Sequence, residues 1–120
     1  MATETPQKFV GTTGWGEPAS YYEAAIDRAL LRSKDDLVVD FSYEGRRYTA
    51  TLKRIGGNEF RGKYTTQVQG KPMEGNTSCR IYRSEGGAFL FGRWFEDAQN
   101  YVWWAELTTV ERFEDEGPKR

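Results

Sequence analysis

Residues 20–33 read Ser-Tyr-Tyr-Glu-Ala-Ala-Ile-Asp-Arg-Ala-Leu-Leu-Arg-Ser, and the fold turns on whether that stretch is helix or strand. Ser20 and Glu23 have the spacing of a capping box, in which a hydroxyl and a carboxylate satisfy the first orphan amides of a helix. Pro18 just upstream suits a helix entry. Tyr22, Ala25, Ile26, Ala29 and Leu30 then fall on one helical stripe, so the spacing predicts a helix over 20–33. Its apolar face is partly alanine, which would let it sit close to whatever it covers.

From residue 36 onward, six short stretches alternate apolar and polar residues with period two, as strands of a one-faced sheet do. Turn chemistry sets their pairing. Glu44-Gly45 places Phe41 opposite Tyr48, Val39 opposite Ala50 and Leu37 opposite Leu52. The loop Ile55-Gly56-Gly57 places Ala50 opposite Gly62 and Tyr48 opposite Tyr64. Glu85-Gly86 pairs Ile81 with Leu90 and Cys79 with Gly92, and a turn at Ala98-Gln99 pairs Gly92 with Ala105 and Trp94 with Trp103. The stretch from Gln69 to Asn76 is too irregular to give a register. In this scheme Ala50, Gly62, Cys79, Gly92 and Ala105 form one row of small inward residues, a natural complement to an alanine-faced helix. Upstream, Lys8–Thr13 reads as a short first strand and Gly14-Trp15-Gly16 as a turn. The expected architecture is α+β, a single N-terminal helix on a strongly twisted antiparallel meander of six to seven strands, with a closed small β-barrel as the alternative. One domain over 1–120 is expected, with flexible tails at 1–7 and 114–120.

The motif Gly57-x-x-Phe60-x-Gly62-Lys63-Tyr64 is echoed by Gly87-x-x-Leu90-x-Gly92-Arg93-Trp94. A mid-strand glycine with an aromatic residue two positions on suggests two strands solving the same bend.

The face opposite the small row carries the candidate site. Arg47, Lys53, Arg61, Lys63 and Arg80 lie toward one side of it; Tyr82, Phe89, Phe91, Arg93, Phe95 and Trp104 lie toward the other. Arg93 falls directly opposite Trp104, suited to a cation-π contact. Glu106 falls opposite Phe91, where an ion pair with Arg93 accounts for it better than acid-base chemistry. A patch of large aromatics usually marks a partner surface, so a protein partner or homodimer is the leading expectation. Single-stranded nucleic acid or another anionic ligand is an alternative, because rings stack on bases while Lys and Arg hold phosphates. A further alternative is a small apolar ligand inside a closed barrel, ringed by Tyr48, Tyr64, Trp94 and Trp103.

Composition sets limits on the chemistry. Formal net charge is -1, but residues 1–44 hold 4 basic and 8 acidic side chains, residues 45–95 hold 10 and 3, and residues 96–120 hold 3 and 7. The middle of the sheet is therefore cationic and the flanking blocks are acidic. The chain has no histidine, which removes His-dependent triads and His-containing zinc sites, and its one cysteine, Cys79, cannot form an internal disulfide or a thiolate cluster. No catalytic residue, cofactor or metal site is expected, and Cys79 reads as a buried apolar group. No secretory h-region or membrane-length apolar run is present, so a soluble, cytoplasmic protein free of membrane is the expectation.

Glu59-Phe-Arg-Gly-Lys-Tyr-Thr-Thr-Gln-Val68 and the hairpin from Cys79 to Leu107 resemble the meander of avidin and streptavidin, antiparallel barrels that bind biotin. The resemblance covers under half the chain and aligns Tyr64 and Thr66 with ligand-lining residues of that family. Ile81 stands where the family has a stacking tryptophan, and Gly86 and Ala88 replace its hydroxyl residues, so biotin binding does not carry over. Lys8-Phe-Val-Gly-Thr12 resembles the start of fatty-acid-binding proteins, without their later motifs.

Overall fold

Residues 20–32 form a strand. The computed structural model describes residues 6–17 and 19–113, and within them the chain is all β. Its strands are β1 (Gln7–Glu17), β2 (Ser20–Arg32), β3 (Asp36–Tyr43), β4 (Arg46–Gly56), β5 (Glu59–Val68), β6 (Lys71–Ser84), β7 (Gly87–Glu96) and β8 (Gln99–Val110). Each pairs antiparallel with its chain neighbour, and β1 also pairs with β8, closing an eight-stranded barrel. The α+β expectation is thereby overturned and the closed-barrel alternative holds.

The helical reading of residues 20–33 failed for a local reason. β2 carries one extra residue near Asp27, where its register with both β1 and β3 shifts. A bulge of this kind moves the inward phase by one position. Ala24 and Ile26 point into the barrel before it, Ala29 and Leu31 after it, and the resulting three-residue step from Ile26 to Ala29 imitates a helical stripe. Ser20 pairs with Glu17 across a hairpin and caps nothing. Pro18 lies outside the described residues. Gly14, Trp15 and Gly16, expected as a turn, continue β1 and pair with both β2 and β8. Gln7, expected in a tail, starts β1, while 1–5 and 114–120 lie outside the described residues.

Two registers stand as expected: β3 with β4 and β6 with β7. Two differ by two residues, which preserves the inward face but changes every partner. Ala50 meets Tyr64 and Leu52 meets Gly62, while Leu90 meets Ala105 and Gly92 meets Trp103. The expected pairings put small on small and Trp94 on Trp103; the observed ones put large beside small, which fills a narrow lumen evenly. No helix covers the small row, because the facing wall and these large rings do. The β7–β8 turn is Asp97-Ala98, with φ of 52° and 62°. Alanine in this left-handed conformation gives no sequence signal comparable to glycine. The expected irregular loop at 69–76 is a two-residue turn, Gln69-Gly70, followed directly by β6. Pro72 is tolerated there because β6 extends past its pairing with β7, leaving one side of that segment free.

The Gly62 and Gly92 echo is real in three dimensions. A Cβ on Gly62 would lie 1.9 Å from the Thr51 carbonyl oxygen, and one on Gly92 would lie 1.9 Å from that of Ser78. Two residues on, Tyr64 and Trp94 stack on each other with centroids 4.1 Å apart.

The interior is graded. Leu31, Leu37, Leu52 and Leu107 lie toward one end, small residues occupy the waist, and Phe41, Tyr48, Tyr64, Trp94 and Trp103 crowd the other end. Buried polar atoms are satisfied within the walls: the Trp103 indole donates to Thr13 Oγ1 at 2.8 Å, and the Thr13 hydroxyl donates to the Trp104 carbonyl at 2.8 Å. Cys79 is buried, and desolvation pushes its thiol up to about 12, so it packs in the core as a small apolar group. Among the described residues no helix is long and apolar enough to cross a membrane. The outward face carries charges such as Lys53, Arg61 and Lys63.

Candidate binding site

The outward residues expected to form a site are on the outer wall. Phe89, Phe91, Phe95 and Tyr82 are between 39% and 50% exposed, and Trp104 is partly covered. Tyr82 pairs with Phe89, Arg80 with Phe91, and Phe91 with Trp104, so most of the aromatic set forms one patch across β6, β7 and β8. Trp104 lies flat over Gly14, where a side chain would collide with its indole, and Tyr21 meets its ring edge-on at 6.3 Å. Arg93 faces Val102, and Glu106 faces Phe89, because of the two-residue register shift; the expected Arg93–Trp104 and Glu106–Phe91 pairings do not form. Phe95 lies opposite Asn100, toward one end of the barrel.

Half of the basic set is neutralised in place. Lys53 pairs with Asp36 at 3.0 Å, Lys63 with Glu74 at 3.4 Å and Arg80 with Glu59 at 3.5 Å. Such exposed pairs contribute little stability, about 0–1 kcal/mol each, but they lower the local positive potential. Arg47 borders a shallow surface depression with Thr49, Thr65 and Gln67. The structure thus distributes the cationic residues over a convex wall.

The lumen is filled. Trp94 and Trp103 lie 5.3 Å apart at their centroids, and both are essentially inaccessible, so Tyr48, Tyr64, Trp94 and Trp103 pack against one another and do not surround an internal cavity. Above them the barrel opens. A depression of about 380 Å³ is lined by Trp15, Tyr22, Tyr43, Tyr48 and Tyr101, with Glu44, Arg46, Glu96 and Asp97 at its rim. Trp15 meets Tyr43 edge-on at 5.0 Å and 84°, and Tyr22 meets Tyr43 at 5.7 Å and 64°. These rings stand where β1, β2 and β3 reach this end, and the Glu44-Gly45 and Asp97-Ala98 turns bring the carboxylates in. Glu96 accepts a 3.0 Å hydrogen bond from the Trp94 indole, which anchors it above the packed lumen.

Tyr43, Tyr48 and Tyr101 at the mouth all have raised phenols. Burial raises the pKa of Tyr101, and Glu96, Tyr22, Asp97 and Glu17 raise it further. Tyr48 is raised by burial and then Glu96, with Arg46 opposing. Tyr43 is raised by burial and then Glu44. The opposite end is different: Arg54 donates to Asp35 at 2.8 Å and to the Gly57 carbonyl at 3.4 Å, and Arg83 donates to Gln7, so its polar groups bind one another.

Of the mouth residues, the alternation brings only Tyr48 to a ligand ring; the local pattern puts Trp15 in a turn and Tyr22 on a helix, which keeps them apart. A usable signal existed in the charge blocks, since Glu17 and Glu44 come from the acidic first segment and Glu96 and Asp97 from the acidic last one.

The fold and site define an up-and-down antiparallel barrel with a packed lumen and one aromatic, acid-rimmed mouth. No family model matches the sequence, and no curated protein matches it. Among solved structures it is similar to a mutant of the vaccine antigen transferrin binding protein B from Haemophilus parasuis Hp5, with a TM-score of 0.56 and 15% identity. That likeness covers 92% of this chain and 27% of the other, and at this identity it is a likeness of fold.

Proposed function

We propose that this chain is a non-catalytic binding barrel that receives a small ligand in its aromatic mouth. The observation that carries the reading is the position of the opening: five rings line it directly above a lumen closed by Trp94 and Trp103. Concave aromatic surface with a few convergent polar groups is the usual character of a ligand site. The barrel likeness to part of a binding protein supports a binding role without naming a ligand. Amide shift mapping against a small-molecule library should move resonances of Trp15, Tyr22, Tyr43 and Tyr101, and Tyr43→Ala should weaken hits by about tenfold, the effect of losing one aromatic anchor. Shifts confined to the outer wall would refute it.

A second reading, contact with another copy of the chain, is favoured by the continuous exposed row of Tyr82, Phe89 and Phe91. These rings are already about half covered, so burying the remainder would gain roughly half of the 1.5–3 kcal/mol of a fully buried side chain. In sedimentation, the wild type should associate as concentration rises, and Phe91→Glu should remain a folded monomer. A wild type that is monomeric throughout rejects this reading and leaves the mouth untouched.

A further inference from the structure

The geometry points to a small organic cation as the ligand of the mouth, an alkylated or protonated ammonium group seated against Trp15, Tyr22 and Tyr43. This rests on the reading of the mouth as a ligand site and adds the class of ligand. Tyr43 stands steeply against both Trp15, at 5.0 Å and 84°, and Tyr22, at 5.7 Å and 64°, while Trp15 and Tyr22 are inclined by 33° at 5.9 Å. Aromatic rings attract cations over their faces, and several rings converging on one point are how ammonium groups are held.

The rim supplies the second, independent argument. Among the described residues that line the mouth, the three carboxylates of Glu44, Glu96 and Asp97 stand with a single cation, Arg46. Burial is the main cause that raises Tyr43, Tyr48 and Tyr101, and the nearby carboxylates add to it in the same direction. An anion entering the mouth would meet three carboxylates, and a neutral apolar ligand would leave them uncompensated. A cation neutralises them and uses the rings. The volume of about 380 Å³ is near the lower end for ligand pockets, which suits a headgroup and a short chain.

Choline and its neutral carbon isostere, in which a quaternary carbon replaces the nitrogen, differ in charge while keeping the same shape. Titrated by tryptophan fluorescence and amide shifts, choline should bind about tenfold tighter than the isostere or better. Glu96→Gln keeps an acceptor for the Trp94 indole and removes only charge, so it should shrink that ratio by about 3- to 10-fold while the isostere is unaffected. A peptide carrying trimethyl-lysine, titrated in parallel, distinguishes a free cation from one borne on a protein side chain. Equal binding of choline and the isostere, or isostere binding alone, would overturn the cation while leaving the mouth as a ligand site. If no cation and no library compound moves the mouth resonances, the mouth reading fails with it.

Discussion

Trp94→Ala should destabilise the protein by about 3–5 kcal/mol, the range for removing a fully buried large aromatic side chain. Trp94 is 1% exposed, stacks on Tyr64 at 4.1 Å, and touches the rings of Trp103 and Phe41 at 5.3 Å and 5.6 Å. Alanine there removes those contacts and leaves a void in a lumen whose walls are tied by closed hydrogen bonding and cannot collapse freely. It also frees Glu96, which then loses its indole donor. Urea unfolding should show the loss as a lower midpoint with little change in slope. Phe95→Ala on the outer wall, where the ring is 46% exposed, should cost below about 1 kcal/mol. If the two variants lose comparable stability, the interior is not packed as described.

The second large effect is expected at Gly92. Overpacking normally costs about 1–3 kcal/mol, and Gly92→Val should reach or exceed the upper end of that range. The obstacle is backbone: the new Cβ would lie 1.9 Å from the Ser78 carbonyl oxygen and 2.5 Å from the Cys79 Cα, on a strand that is itself paired on both sides. Side chains can rotate away, but a laddered carbonyl can move only with its strand. Gly62→Val faces the same geometry against Thr51 and should behave alike, while Thr51→Val on the outward face should be nearly neutral. Thermal unfolding of the three variants checks this. An unchanged melting temperature for Gly92→Val would mean that β6 and β7 do not approach so closely.

These variants separate the parts of the molecule that were legible in sequence from those that were not. The Glu44-Gly45 and Glu85-Gly86 turns were readable because glycine marks the left-handed position, and their registers followed. The Asp97-Ala98 turn was not, because nothing in the side chain of Ala98 announces φ of 62°. The outward placement of Arg47, Lys53, Phe89 and Phe91 followed from alternation alone, since a shift of two residues leaves every side chain on the same face. Their neighbours did not follow, which is why Arg93 is found beside Val102 and Trp104 beside Phe91. Trp15 and Tyr22 come together at the mouth because Gly14–Gly16 continues β1 and residues 20–32 form β2, which no local pattern announces.

Period-two patterning, glycine-marked turns and the lack of histidine are local properties, and the chain carries them wherever it goes. They determined a twisted antiparallel sheet with one apolar face, the burial of Cys79 and the recurrence of Gly62 and Gly92 at equivalent bends. Closure is non-local. Whether β1 pairs with β8 depends on summed coiling over all eight strands and on filling the lumen with large residues beside small ones. The bulge near Asp27 is decided the same way, because an extra residue in β2 is acceptable only when both neighbouring strands are in place to accommodate it. The tertiary structure therefore chose strand over helix for residues 20–32, and in doing so it assembled a mouth from segments that the linear sequence keeps apart.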